Sequence, residues 1–150
     1  MKKSVSLIFL FLCCCSKNSS NKIQTLKDEV MSNSDLTSYA ILSNHLEDGN
    51  NYQDLLAYSL KIQKTNKVGC YDFYANYIRI AFDNKFKIDY ISNLEKPEQD
   101  FLIYILHKGA LADETRCKET LIEYYRNGIA IEKNLSKADS IYKSFDYPDK

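Results

Sequence analysis

From about residue 28 onward, apolar side chains recur every three or four positions, the spacing that places them on one face of a helix. Leu36, Tyr39, Ala40, Leu42 and Leu46 form the first stripe, with Ser34 or Asp35 in front as an N-cap and Gly49 behind as a stop. Leu55, Leu56, Tyr58, Leu60 and Ile62 predict a second helix that begins near Asn51 and fades by Asn66. A third follows Gly69, with Cys70, Phe73, Tyr77, Ile80 and Ala81 on its buried side and Asp72, Asn76 and Arg79 towards water. Phe86 to Leu94 fits a short helix or an extended piece, and the short helix is the preferred reading. Pro97 stands as the first residue of a further helix, where its missing N–H costs nothing, and Phe101, Leu102, Ile105 and Leu106 supply the stripe. Two prolines and four glycines in 150 residues are too few for the many tight turns of an all-β domain. The pattern predicts an all-α fold of α/α helical hairpins. Leu36 and Cys70, 34 positions apart, begin comparable helices, the period of a tandem hairpin array.

In the C-terminal third, Leu121, Tyr125, Gly128, Ile131, Asn134, Lys137, Ala138 and Tyr142 stand in a distinctive order. That order and spacing resemble a Sel1-like repeat, the short-loop relative of the tetratricopeptide hairpin. Lys108, Gly109 and Ala110 resemble the end of a preceding repeat's second helix, and Cys117 takes the small-residue place four before Leu121, so the likeness spans about residues 105–145. The physical logic agrees with the pattern. Gly128 suits the left-handed conformation that ends a helix, Asn134 suits the cap of the next, and Ala138 lets two helices approach. Ile131 and Tyr142 are expected to fill the space between hairpins. Ala130, Ile122, Ile141 and Phe145 depart from the pattern, as a divergent or terminal repeat with an altered outer surface would. The resemblance implies a short solenoid that acts as an adaptor between proteins.

The N-terminus follows different rules. Lys2 and Lys3 precede Val5, Leu7, Ile8, Phe9, Leu10, Phe11 and Leu12, an apolar run too short to span a bilayer, which closes at Cys13, Cys14 and Cys15. This anatomy resembles a bacterial lipoprotein signal. Cys15 fits best as the lipidated residue, with Leu12 three places before it and Cys14 at the cut, and Cys14 is the alternative, with Phe11 three places before. Acyl chains contribute about 0.8 kcal/mol per buried methylene, so several of them tether a chain durably without a spanning helix. The expected organisation is a signal peptide over residues 1–14, a flexible Ser-, Asn- and Lys-rich tether over 15–27, and a helical repeat domain over 28–150. No acidic residue precedes Asp28, a feature that favours an anchor in the outer membrane with the domain facing the periplasm.

Removal of the signal takes two lysines and no acid from a chain with 20 basic and 20 acidic side chains, and no Lys/Arg block remains to drive nucleic-acid binding. Cys70 and Cys117 are the cysteines left in the domain; they either pair as a disulfide or serve as small buried helix residues. His45 and His107 sit in no ligand-like cluster, so no metal site is expected. Asp48, Gly49 and Asn50 read as a turn rather than a calcium loop. No nucleophile with an activating base and no phosphate-cradling loop can be nominated, so neither catalysis nor a cofactor is expected. Glu114 with Lys118, and Glu119 with Glu123, read as solvated helix faces.

Among the twelve tyrosines, Tyr39, Tyr58, Tyr77, Tyr125 and Tyr142 fall on apolar stripes and are expected in the core. Tyr71, Tyr74 and Tyr124 lie beside those stripes and, with Arg79 and Arg126, are the candidate partner-binding patch. The expected function is a non-enzymatic, lipid-anchored module that binds another protein, in its most concrete form an immunity or inhibitor protein against a delivered toxin. The alternatives are a cell-wall-directed enzyme or ligand-binding protein, and a structural accessory of an envelope complex.

Overall fold

The computed structural model describes residues 21–145. Cys14, Cys15, the expected signal peptide and the first part of the expected tether lie outside them. The described residues form seven α-helices and one 3-10 helix, with no strand. Helix α1 covers residues 21–33. It is followed by α2 (Leu36–Asp48), α3 (Tyr52–Ile62), α4 (Val68–Ala81), the 3-10 helix Ile88–Asn93, α5 (Lys96–Leu111), α6 (Thr115–Asn127) and α7 (Leu135–Lys143). From α2 onward each α-helix packs on its successor, and α4 also touches α6, so the chain is an all-α stack of consecutive hairpins.

The caps explain where these helices start. Asp35 accepts from Ser38 N at 2.7 Å, and Asn51 opens α3 through Asp54 N. Glu95 and Glu98 close a reciprocal capping box around the start of α5, with Pro97 inside its first turn. Glu114 accepts from Cys117 N at 2.7 Å, and Asn134 from Lys137 N at 2.9 Å. Gly128 ends α6 in the left-handed region at φ 71°, as the spacing predicts.

Two apolar clusters make the core. Leu26 and Val30 of α1 join Tyr39, Leu42, Leu46, Leu55 and Ile62 in the first. The larger second cluster gathers α4 to α7 around Phe73, Tyr74, Ile78, Leu102, Leu106 and Leu121. Residues 21–27, expected in the tether, belong to a helix instead. Ile23, Leu26 and Val30 lie at i, i+3 and i+7, and burial of that face offsets the ordering entropy of its polar neighbours. Lys27 adds an ion pair to Asp54 at 3.3 Å.

Helix α4 corrects a second expectation. Asn76, expected towards water, is 2% exposed, whereas Ile80 is half-buried and Ala81 is exposed. Tyr74, Ala75 and Ile78 are buried instead. A one-faced reading fails here because α4 is covered by α3, α5 and α6 together. Asn76 tolerates the interior by accepting from Arg79 Nη1 at 3.2 Å. Tyr39 and Tyr125 are buried as predicted, Tyr58 and Tyr77 are half-buried, and Tyr142 is exposed at the edge of α7.

Two glycines set the helix spacing. A methyl group on Gly69 would stand 2.8 Å from both Gln63 Cα and the Ile62 carbonyl carbon, so the end of α3 crosses the start of α4 at backbone contact. A methyl group on Gly109 would stand 2.9 Å from Cys70 Cβ and 3.1 Å from Cys117 Cβ, and closer still to Cys117 Sγ. Gly109→Ala is expected to destabilise the fold by about 1–3 kcal/mol, the usual range for overpacking. Urea denaturation of this variant measures the loss, and adding Cys117→Ala is expected to restore part of it by vacating the site of the clash.

Candidate functional site

The five residues of the predicted patch do not form one surface. Tyr74 and Tyr124 are fully buried, with hydroxyl oxygens 2.6 Å apart. Tyr124 also donates to the Ile88 carbonyl at 2.9 Å, which leaves Tyr74 as the donor between the two hydroxyls. Together they fasten the 3-10 helix to α4 and α6. Burial raises both pKa values, so both hydroxyls keep the protons this chain of bonds needs. Sequence position put them beside the stripes, but α3 and α5 packed on α4, and α5 and α7 packed on α6, turn those flanks into interior.

Tyr71 and Arg79 remain near the surface and meet through Phe86. The Tyr71 ring lies 6.5 Å from Phe86, and the Arg79 guanidinium lies 5.4 Å from Phe86 and 5.1 Å from Tyr52. Arg126 is exposed elsewhere, against α7, 3.9 Å from Asp139.

A polar chain ties α2, α4 and α6 together. Tyr39 donates to Asp72 Oδ2 at 2.9 Å, and Arg116 donates to Asp72 Oδ1 and to Glu114 Oε1, both at 3.0 Å. The Arg116 guanidinium also lies 4.5 Å from the Tyr71 ring centroid. Burial acts to lower the Arg116 pKa, but Asp72 and Glu114 outweigh it and hold the guanidinium charged.

Cys70 and Cys117 converge on Gly109 as buried free thiols. Burial pushes both thiols up, reinforced at Cys117 by Glu114 and partly opposed at Cys70 by Lys108. Thiols held in this way are poor nucleophiles. Among the described residues no group of three or more His, Cys, Asp or Glu is placed to hold a metal ion, and no helix is long and apolar enough to cross a membrane.

Sequence reasoning missed the outer face of α5. Phe101, assigned to the core stripe, is 45% exposed, although its ring packs edge-on against Phe73 at 5.8 Å. Tyr104 is 62% and Leu111 90% exposed on the same side of the helix. The signal was present in the apolar run from Phe101 to Leu106, which exceeds the width of one stripe, so some of it had to face outward. This face runs into a groove of about 250 Å³ between α5 and α7. Ala110, Leu111 and Ile141 form its apolar walls, and Leu121 of α6 its floor. A second, polar depression lies where the α2–α3 turn meets the end of α4, lined by Asn50, Asn51, Gln53, Asp83, Asn84 and Tyr52 among others.

Comparison with protein-family models, with curated proteins and with solved structures gives no match to this chain.

Tyr124→Phe is expected to cost about 1–3 kcal/mol, because it strips the Ile88 carbonyl of its donor and the Tyr74 hydroxyl of its acceptor. Thermal unfolding measures the cost. A role of Tyr124 in an exposed patch would instead leave stability unchanged.

Proposed function

We propose that this chain is a lipid-anchored module of the bacterial envelope, facing the periplasm, that binds another protein through its stacked hairpins. The observation that carries the reading is the α5 face of Phe101, Tyr104 and Leu111, apolar side chains held towards solvent on a helix fixed from behind by α4 and α6. A rigid apolar face loses little conformational entropy when covered, which favours binding. The Sel1-like spacing from Leu121 to Tyr142 supports an adaptor role, and the signal-like stretch ending at Cys15 supports the anchor. An immunity or inhibitor protein that blocks a delivered toxin is the most concrete form, since such a task needs a tethered binding surface and no chemistry of its own.

The rival reading, a cell-wall-directed ligand-binding protein, draws support from the polar depression. Asn50, Asn51, Gln53 and Asp83 offer amide and carboxylate groups of the sort that bond sugar hydroxyls. Binding of soluble wall fragments that is lost in Asp83→Ala would promote this reading over the first.

Two measurements in the native envelope test the proposal. Cys15→Ser is expected to abolish fatty-acid incorporation and to move the chain out of the membrane fraction; label retained at Cys14 would reassign the anchor to its neighbour. A photo-crosslinking residue in place of Tyr104 is expected to capture one specific protein, while the same residue in place of the exposed Asn44 on α2 captures none. A membrane-attached chain with no specific protein adduct from position 104 would sink the binding role.

A further inference from the structure

Two lysines flank the exposed face around Leu111: Lys137 lines the groove between α5 and α7, and Lys108 lines an adjoining depression that shares His107 and Leu111 with it. Lys108 directs its ammonium to the end of α3, where it donates to the Gln63 carbonyl at 3.1 Å and to Gln63 Oε1 at 3.2 Å, neutral oxygens that leave its charge unmatched. The Lys137 ammonium rests 4.7 Å from the centroid of the Tyr125 ring. Among the described residues neither lysine lies within ion-pair distance of a carboxylate. Lys118, at the base of the groove, differs. It is matched by Asp113 and donates to the Ser144 carbonyl at 2.9 Å, so it holds the end of α7 rather than a ligand. His107 lines both depressions and bonds the Tyr125 hydroxyl at 3.0 Å. Burial pushes the His107 pKa down, and the charge of Lys137 pushes it further.

Beside these charges lies the most exposed large apolar side chain of the described residues, Leu111, with Tyr104 about two helical turns before it on α5. An apolar face with an unmatched ammonium group on either flank is complemented by apolar anchors interleaved with carboxylates. We propose that the α5–α7 groove and the adjoining depression over Leu111 together seat an acidic, apolar segment of the partner protein, with Leu- or Phe-like anchors over Leu111, Ala110 and Ile141 and carboxylates against Lys137 on one side and Lys108 on the other. The assignment rests on the protein-binding reading above and names the chemistry of its ligand. Besides His107, Lys118 and Lys137, the polar groups lining the slot are the small Ser140 and Ser144. Carboxylates on the rim would remain partly hydrated, so their contribution falls on rate of encounter and selectivity more than on total affinity.

The test uses the full chain in zwitterionic lipid nanodiscs, with empty nanodiscs as the blank. Three synthetic amphipathic peptides share the same leucine and phenylalanine positions and carry Glu, Gln or Lys at the remaining ones; binding is read by fluorescence anisotropy. The Glu peptide is expected to bind at least tenfold more tightly than the Gln peptide, and the Lys peptide not at all. Raising salt from 0.1 M to 1 M shortens the screening length from about 10 Å to about 3 Å and is expected to erase most of the difference. Lys137→Glu and, separately, Leu111→Asp are each expected to weaken the Glu peptide at least tenfold. Both positions are exposed, and circular dichroism is expected to show an unchanged fold. Equal binding of the Glu and Gln peptides, or indifference to Lys137→Glu, would overturn the proposal. So would self-association of the chain that Leu111→Asp abolishes, which assigns the face to a second copy. If position 104 captures a protein while the Glu peptide fails to bind, the binding role stands and the acidic-segment assignment falls.

Discussion

Side chains from two helices meet at a glycine on a third, and the second half of the fold is organised around that meeting. Gly109 lets Cys70 of α4 and Cys117 of α6 reach the backbone of α5, so the three helices pack at a separation that a side chain at position 109 would forbid. The close approach brings Leu102, Leu106, Ile78 and Leu121 into one continuous cluster. It also sets the distance at which the Tyr74 and Tyr124 hydroxyls bond and reach Ile88. Close-packed interiors transmit such constraints because they contain little slack.

Polar contacts then lock in the order of the stack. The run from Tyr39 through Asp72 and Arg116 to Glu114 spans α2, α4 and α6 with each charge matched, and the same Glu114 caps α6. A partly buried network of this sort adds less net stability than its Coulomb energy suggests, since each group gives up hydration. Its effect is directional: a slipped arrangement of α4 would strand Asp72 or Arg116 without partners. Apolar packing holds the helices together, and this network favours one arrangement of them.

Much of the fold was legible along the chain because local rules and tertiary packing agree at Asp35, Asn51, Gly128 and Asn134, where caps and stops fall where the residue types demand. Periodicity failed at α4 and α5 for opposite reasons. Helix α4 is surrounded, so Asn76 and Tyr74 are interior although they lie off the apolar stripe. Helix α5 is over-supplied with apolar residues, so Phe101 and Tyr104 remain outside although they extend it. The candidate patch suffered from the first error, since two of its three tyrosines lie on faces that neighbouring helices cover. The charged face was illegible because Lys108 and Lys137 come from different helices and look like ordinary solvated lysines until the fold places them in adjoining depressions that share His107 and Leu111.

Helix α7 is held by a narrow footing. Ala138 is its one fully buried residue, while α5, across the groove, buries five. Segments with few interior contacts open at lower free energy than the body of a domain. One bank of the slot is thus stiff and the other compliant, and a clasp built in this way adjusts its width to side chains of different size while keeping the same charged lip.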